Sequence, residues 1–310
     1  MNNVSQTILD QYQIRKTGKQ KAAFRAYLTA ELEKAGYTVT VETSSILHNR
    51  NLIVGDPDTA EFIFTAHYDT CAVLPVPNFI APRNVILTIL YQVFLMILLI
   101  VLGGAIGALA GWITSNPGIG LAVAMIGMIV FSLLIILGPP NRHTVNDNTS
   151  GVITLTEALF SLPEAARGRA AFVFFDNEEM GLLGSSFFRQ RHGGRIAQTP
   201  LINLDCVSDG DHILVVMGKD FRRDTALVEA VQSALAMPEG KRAALYSAAT
   251  TFYPSDQMGF RYGAGIAAFH RAPVVGYYLG RVHTPFDTRL DAENVETLRR
   301  FILALFPLHP

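Results

Sequence analysis

The chain has 310 residues and a formal net charge of −1, with a sequence pI near 6.7 and no basic block, so it lacks the electrostatic footprint of a nucleic-acid-binding protein. Charged residues are only 16% of the chain and the mean hydropathy is +0.28, which is high for a water-soluble enzyme; the apolar excess sits in one segment. The only cysteines, Cys71 and Cys206, exclude a disulfide framework and read as packed free thiols.

In chain order, the N-terminal MNNVSQTILDQYQIRKTGKQ has no apolar core behind a basic start and does not read as a signal peptide. Residues from Lys19 to Gly36 predict an amphipathic helix, with Phe24, Tyr27, Leu28 and Leu32 at helical spacing and Gly36 as its stop. Strand-like runs follow at Tyr37–Glu42, Asn51–Val54 and Glu61–Ala66. After a long interruption, Gly151–Leu162 predicts a helix and the apolar Ala170–Phe175 (AAFVFF) a buried central strand. A helix near Leu183–Arg191, strands at Leu201–Asp205 and His212–Met217, a helix around Arg222–Leu235, further short strands and a terminal helix from Asp291 to Leu305 complete the pattern. The alternation predicts an α/β fold, a mixed but largely parallel central sheet with helices on both faces, whose sites form at the carboxyl ends of strands.

The interruption contains no Asp, Glu, Lys or Arg between Arg83 and Arg142. It holds two apolar stretches, Val85–Ile113 and Ile119–Leu137, separated by the turn Thr114-Ser115-Asn116-Pro117. As helices these would be about 43 Å and about 28 Å long, against a hydrocarbon core of roughly 30 Å. Neither has a polar face, so the segment predicts an inserted two-helix transmembrane hairpin rather than a buried soluble one. Gly103, Gly107 and Gly111 recur every four residues and permit close approach, with Gly120, Ala124 and Gly127 as facing positions, and Trp112 stands where an interfacial anchor would. The expected organisation is a catalytic domain from residues 1–83 and 141–310 with the hairpin as an insertion at 84–140. Both ends of a hairpin emerge on one side, and Arg83 and Arg142 flank it there, which predicts a cytosolic catalytic domain on an integral membrane protein.

Five segments carry candidate chemistry: HYDT at 67–70, NDNTSG at 146–151, DNEEMGLLGS at 176–185, NLDCVSDGD at 203–211 and VHTPFDT at 282–288. Histidine beside carboxylates at strand ends is a donor set suited to a dication such as zinc. Extended backbone would send the neighbouring side chains of Glu178 and Glu179 to opposite sides, one to a metal and the other to the substrate as a base. Asp69, two residues after His67, would lie on the same strand face and orient the imidazole. Singly, each of these is more often structural; together, in order and at strand ends, they point to a metal centre. His143, four residues before Asp147, reads as an exposed loop histidine, with a substrate contact as the alternative, and His48, His192, His212, His270 and His309 read as histidines without a special role.

On these motifs, together with SDQMGFRYGAGIAAF (255–269) and DTRLDAENVETL (287–298), the chain resembles the co-catalytic di-zinc aminopeptidases, whose relatives include glutamate carboxypeptidase, the transferrin receptor and glutaminyl cyclase. The resemblance covers almost the whole chain apart from the hairpin. It implies two zinc ions, with manganese or cobalt as substitutes, bridged by Asp147; His67 and Asp205 would share one ion, Glu179 and His283 the other. It further implies that Asp69 braces His67, that Glu178 is the general base for hydrolysis of N-terminal peptide bonds, and that the Asp147–Asn148 peptide is cis. Tyr253, Tyr277 and Tyr278 are candidates to assist the oxyanion. The hairpin replaces a shorter soluble connection of the family. From Pro140 to Asp147 the chain can span about 25 Å at most, so the metal site is expected close to the bilayer, acting on a peptide presented there, and the hairpin could also pair chains into a homodimer. The rival readings are a glutaminyl-cyclase-like acyltransferase using one zinc and a non-catalytic membrane receptor on the same fold; a transporter would need intramembrane charge that is missing.

Overall fold

Asn2 starts the chain's first helix, α1 (Asn3–Gln11), by accepting the Ser5 amide N–H; the sequence patterning does not predict this short element. Thr17 and Gln20 then form a reciprocal capping box for α2 (Gly18–Lys34). The computed structural model describes residues 1–307 of the chain, so His309 lies outside the described residues. Strands β1 (Val39–Thr43), β2 (Arg50–Val54) and β3 (Phe62–His67) lead into the apolar helices α3 (Val85–Ile113) and α4 (Pro117–Leu137). After these come α5 (Gly151–Ser161), α6 (Glu164–Arg167), β4 (Ala170–Phe175), α7 (Leu183–His192), β5 (Leu201–Leu204) and β6 (His212–Met217). The chain ends with α8 (Lys219–Arg223), α9 (Thr225–Ala234), β7 (Arg242–Ser247), β8 (Gly263–Ala272), β9 (Gly276–Tyr278) and α10 (Ala292–Ala304). The single helix expected over Arg222–Leu235 is two, because Asp224 accepts the Leu227 amide N–H at 3.0 Å and caps α9.

The sheet order is β1-β2-β4-β3-β5-β8-β6-β7, with β9 on β8. Its centre, β4-β3-β5-β8, is parallel; β1 and β2 form an antiparallel edge, and β6 runs antiparallel to β8 while pairing in parallel with β7. The register sets His67 opposite Phe175 and Thr65 opposite Asn203, so β3, β4 and β5 end level and their following loops converge, while β8 runs on past Ile266, the partner of Leu204. Every residue of β4 is buried, as expected of a strand covered on both faces. Gly151 lets α5 close onto β5: a Cβ there would lie 2.5 Å from the Leu204 carbonyl oxygen and 2.4 Å from Asn148 Oδ1.

Helices α3 and α4 project from the domain with their apolar side chains exposed, and by length and composition each could cross a membrane. Their mutual contact uses the predicted glycine face. A Cβ on Gly107 would meet the Gly120 carbonyl oxygen at 2.6 Å and Ala124 Cβ at 2.7 Å. Gly127, expected on this face, points away, with nothing within 4 Å of its Cβ position, because the helices meet through Gly120 and Ala124 one turn earlier. Gly107→Leu should therefore destabilise the hairpin by about 1–3 kcal/mol through overpacking. Gly104→Leu, at a position with nothing within 4 Å, should be silent. Thermal unfolding of both variants in detergent distinguishes them.

Candidate metal centre

The converging strand ends bring five predicted residues together. His67 is the last residue of β3, Asp147 sits in the turn before α5, Glu179 in the turn after β4, Asp205 directly after β5, and His283 in the loop before α10. His67 Nε2 lies 3.3 Å from Asp147 Oδ1 and 3.5 Å from Asp205 Oδ1. His283 Nε2 lies 3.1 Å from Asp147 Oδ2 and 3.3 Å from Glu179 Oε2. The Asp147 carboxylate thus stands between two histidines, offering one oxygen to each. Glu178 joins the His67 side, where its carboxylate, His67 and Asp205 each offer a donor atom within 4.8 Å of the others. A cleft of about 300 Å³ opens over the group, lined also by Asn78, Ile80, Tyr253 and Val282.

The donor set fits metal ions. Glu179 Oε1 and Asp205 Oδ1 are buried without a hydrogen-bond partner, an arrangement that costs free energy unless a cation completes it. Burial alone would lower the imidazole pKa values, yet the carboxylate of Glu178, with Asp147 and Asp205, holds His67 well above its ordinary value, and Glu179 and Asp147 do the same to His283. Burial pushes Asp147 up, but His283 and His67 outweigh it and hold its carboxyl well below the usual range. Glu178 is driven well above the usual range by burial, reinforced by the negative charge of Glu179, Asp256 and Asp205. The carboxylates of Asp147, Glu178, Glu179 and Asp205 together exceed what two imidazoles neutralise, so dications would relieve the imbalance.

Two local expectations change. Glu178 and Glu179 do not alternate along extended backbone: β4 ends at Phe175, Asn177 takes φ 56°, and Gly181 N–H donates to Glu178 O at 2.9 Å, so a turn separates the two side chains. Asp69 also acts differently, because β3 stops at His67. Its backbone carbonyl lies 3.1 Å from His67 Nδ1, whereas its carboxylate, 3.6 Å from that atom, accepts the amide N–H groups of Glu178 (2.9 Å) and Glu179 (3.2 Å). Asp69 thereby ties the histidine strand to the glutamate turn. The left-handed backbone of Asn177 (φ 56°), Cys206 (φ 54°) and His283 (φ 65°) is sparsely populated for such residues and is held here by the surrounding bonds. The Asp147–Asn148 peptide is cis.

Several organisers are not singled out in the sequence, although Asn146, Asn148, Asp176, Asp256 and Asp287 lie inside the quoted motifs and only Arg15 and Lys21 lie outside them. Asp287 accepts the amide N–H groups of Asn146 (2.7 Å) and Asp147 (3.0 Å), and burial raises its carboxyl to about 7. Asn148 donates to Leu204 O at 2.9 Å, and Asn146 Oδ1 accepts the Ser208 and Asp209 amides at 2.8 and 3.0 Å. Asp147 is thus stapled on both sides to β5 and to the histidine loop. Arg15 is fully buried beneath the centre, donating to the carbonyls of Tyr12 and Tyr68 and, at 3.1 Å, to Thr149 Oγ1. Asp176, buried under the glutamate turn, pairs with Lys21 at 2.6 Å, and Lys21 also reaches Asn177 Oδ1 at 2.7 Å. Asp256, within the 255–269 stretch, is buried with neither carboxylate oxygen hydrogen-bonded; burial, with Asp69 and Asp205 against the pull of His67, raises it to about 7.

Among the candidate tyrosines only Tyr253 lines the cleft, and its hydroxyl donates to Asp205 O at 3.0 Å. Tyr277 pairs with Tyr246, and Tyr278 stacks on Phe79. His143 is exposed, and His192 lies buried between Asp58 and Glu42, away from the cleft. Both cysteines are buried free thiols. Cys71 Sγ has donors of Glu179 and His283 within 4.8 Å, as Cys206 Sγ has those of Asp147 and Asp205.

The stalks of the apolar hairpin frame this cleft. Leu74 N–H donates to His283 O at 2.8 Å, Asn78 N–H to Val282 O at 3.1 Å and Val73 N–H to Pro139 O at 2.9 Å, while Asn141 Nδ2 donates to Thr284 O at 2.9 Å. The loop that carries His283 is therefore held by the segments entering and leaving α3 and α4.

Residues 132–306 match peptidase family M28. The fold is shared with glutaminyl cyclase from Porphyromonas gingivalis (17% identity over 98% of this chain and 96% of that one, TM-score 0.57). It is also shared with a Zn-dependent exopeptidase from Parabacteroides distasonis (16%, 97% and 95%, TM-score 0.57) and a leucine aminopeptidase precursor from Bacteroides thetaiotaomicron (13%, 97% and 94%, TM-score 0.56). Among curated proteins none matches the chain. The chain belongs to peptidase family M28.

Proposed function

We propose that this M28 peptidase is a membrane-anchored di-zinc aminopeptidase that removes N-terminal residues from peptides presented at the bilayer. One observation carries the reading: the two oxygens of Asp147 face separate histidines, and each histidine faces a carboxylate of its own, Asp205 for His67 and Glu179 for His283. That is the donor arrangement of two ion sites sharing one carboxylate. A single shared-metal site would not need every member. The likeness to a Zn-dependent exopeptidase and a leucine aminopeptidase precursor supports zinc and exopeptidase chemistry.

Zinc bound there would polarise the scissile carbonyl and lower the pKa of a water towards neutrality. Glu178, held at its amide by Asp69 and unused by the histidine pairs, takes the proton of the attacking water and returns it to the leaving amine. Asp69 and Asp287 hold the ligand loops through backbone N–H groups, so the carboxylates are in position before a substrate arrives. The cleft, at about 300 Å³, has room for a side chain and the adjoining peptide rather than a folded chain.

The hairpin supplies the location. Its charge-free span and the flanking Arg83 and Arg142 support a two-pass anchor with the peptidase domain in the cytosol. Substrates would then be N-termini released at that membrane surface, such as those left by an intramembrane cleavage.

The test is purification in detergent, elemental analysis and assay against a panel of aminoacyl reporters and an N-terminal glutamine peptide. Two zinc ions per chain with release of free amino acids is the expected result. One zinc per chain with cyclisation of the glutamine peptide would replace this reading with the glutaminyl-cyclase one.

A further inference from the structure

The helices of the hairpin are unequal, 29 residues in α3 against 21 in α4. The tight turn at 114–116 sets their far ends level, so the excess of α3, about 12 Å, projects at the domain end. These first turns are packed on one side only. Tyr91 donates through its hydroxyl to Pro77 O at 2.8 Å, its ring lies 5.3 Å from Phe79, and Thr88 Oγ1 accepts the Ala81 amide N–H at 3.0 Å. On the other side Ile86, Ile89 and Leu90 are exposed, at 73%, 54% and 59%. A helix that only tethered a water-soluble domain to a membrane would be polar on that face.

The domain brings further apolar tips to the same place. Asn84, the cap of α3, donates through Nδ2 to Val274 O at 3.3 Å, so Val274, 98% exposed in the β8–β9 turn, stands at the base of α3. On the α4 side, Leu47, 56% exposed, lines a groove of about 660 Å³ with Leu134, Ile136 and Leu137. A cation stands beside this groove, where Lys16 Nζ donates to Ile136 O at 2.5 Å; in the sequence Arg83 and Arg142 bracket the hairpin, and Arg271 is three residues before Val274.

We propose that the peptidase domain is seated in the headgroup–hydrocarbon boundary of the leaflet the hairpin enters, through an apolar collar of Ile86, Ile89, Leu90, Val274 and Leu47, with Lys16 beside it and Arg83, Arg142 and Arg271 close to it in the chain. The inference rests on the reading of the hairpin as a membrane anchor and adds a docking surface to it. Lipid is the occupant because the collar is continuous with the exposed apolar surface of α3 and α4 and lies on both sides of the hairpin base. Apolar tips ahead of Lys and Arg are the arrangement that anionic leaflets take up. The seat also fixes where substrate arrives. Asn78 and Ile80, which line the cleft, belong to the loop packed on the first turns of α3, so a peptide end leaving the leaflet reaches the metal centre across that rim.

The experiment uses the full chain in lipid nanodiscs. Trp112, the only tryptophan, is changed to Phe, and a reporter is placed by Val274→Trp or Leu47→Trp, with Glu164→Trp as the control. Glu164 is exposed and lies just before β4, at the amino end of the parallel strands. Lipids brominated near the headgroup end of the acyl chain should quench most of the emission at 274 and at 47 and leave 164 unchanged. The two positions are independent, so failure of one variant to fold leaves the other decisive. No quenching at either position in protein that resists alkaline carbonate extraction overturns the seat and leaves the anchor standing. Release of the protein by carbonate overturns both.

Discussion

In a Glu178→Gln variant, turnover of aminoacyl reporters should fall about 10²–10⁴-fold, with KM and zinc content close to those of the parent. Glutamine keeps the volume and the amide N–H that Asp69 holds at 2.9 Å, so the turn and the neighbouring Glu179 stay in place. What is lost is the ability to take a proton at this position. The loss should therefore appear in kcat, because the interaction is made as the reaction proceeds and not when substrate binds. Equal turnover by the variant would remove the proposed mechanism. A parallel loss of zinc would instead show that Glu178 serves as a ligand, which its approach to His67 and Asp205 makes a specific alternative.

Replacing Arg15 with Met should destabilise the domain by about 3 kcal/mol, the cost of stripping a buried charged donor from its partners. That corresponds to a melting midpoint lower by roughly 5–10 °C for a chain of this size. Arg15 is buried among the carbonyls of Tyr12 and Tyr68 and the Thr149 hydroxyl. Burial lowers its pKa to about 10, with Asp69 and Asp147 working against that shift; it remains a cation at neutral pH. Methionine leaves both carbonyls unpaired and removes a positive charge from beneath an acidic centre. Arg15→Lys should recover little, because one ammonium cannot reproduce the fork that spans three acceptors. A melting curve for Arg15→Met within 1–2 °C of the parent, in the absence of added metal, would refute this role.

Much of the centre is legible in the sequence. The donor types, their order and their position after strand-like runs are local properties of HYD, NDN, NEE, NLD and VHT, and the fold places all of them at one end of one sheet. Glu178 and Glu179 show where local reasoning fails: both residues matter, but a turn closed by Gly181 separates them, not strand alternation. Asp69 is similar. Its nearness to His67 follows from spacing, whereas the bonds its carboxylate makes run to amides more than a hundred residues later.

By itself the sequence determined the candidate donor residues, the strand–helix alternation and the uncharged hairpin, because hydropathy period and side-chain chemistry are carried by each short segment. Only the tertiary structure decided that Arg15 lies beneath the candidate metal centre, that Asp287 holds the Asp147 turn, and that the base of the hairpin borders the cleft with apolar tips around it. Those features are contacts between segments far apart in the chain, set by strand order and register. No window of residues contains both partners.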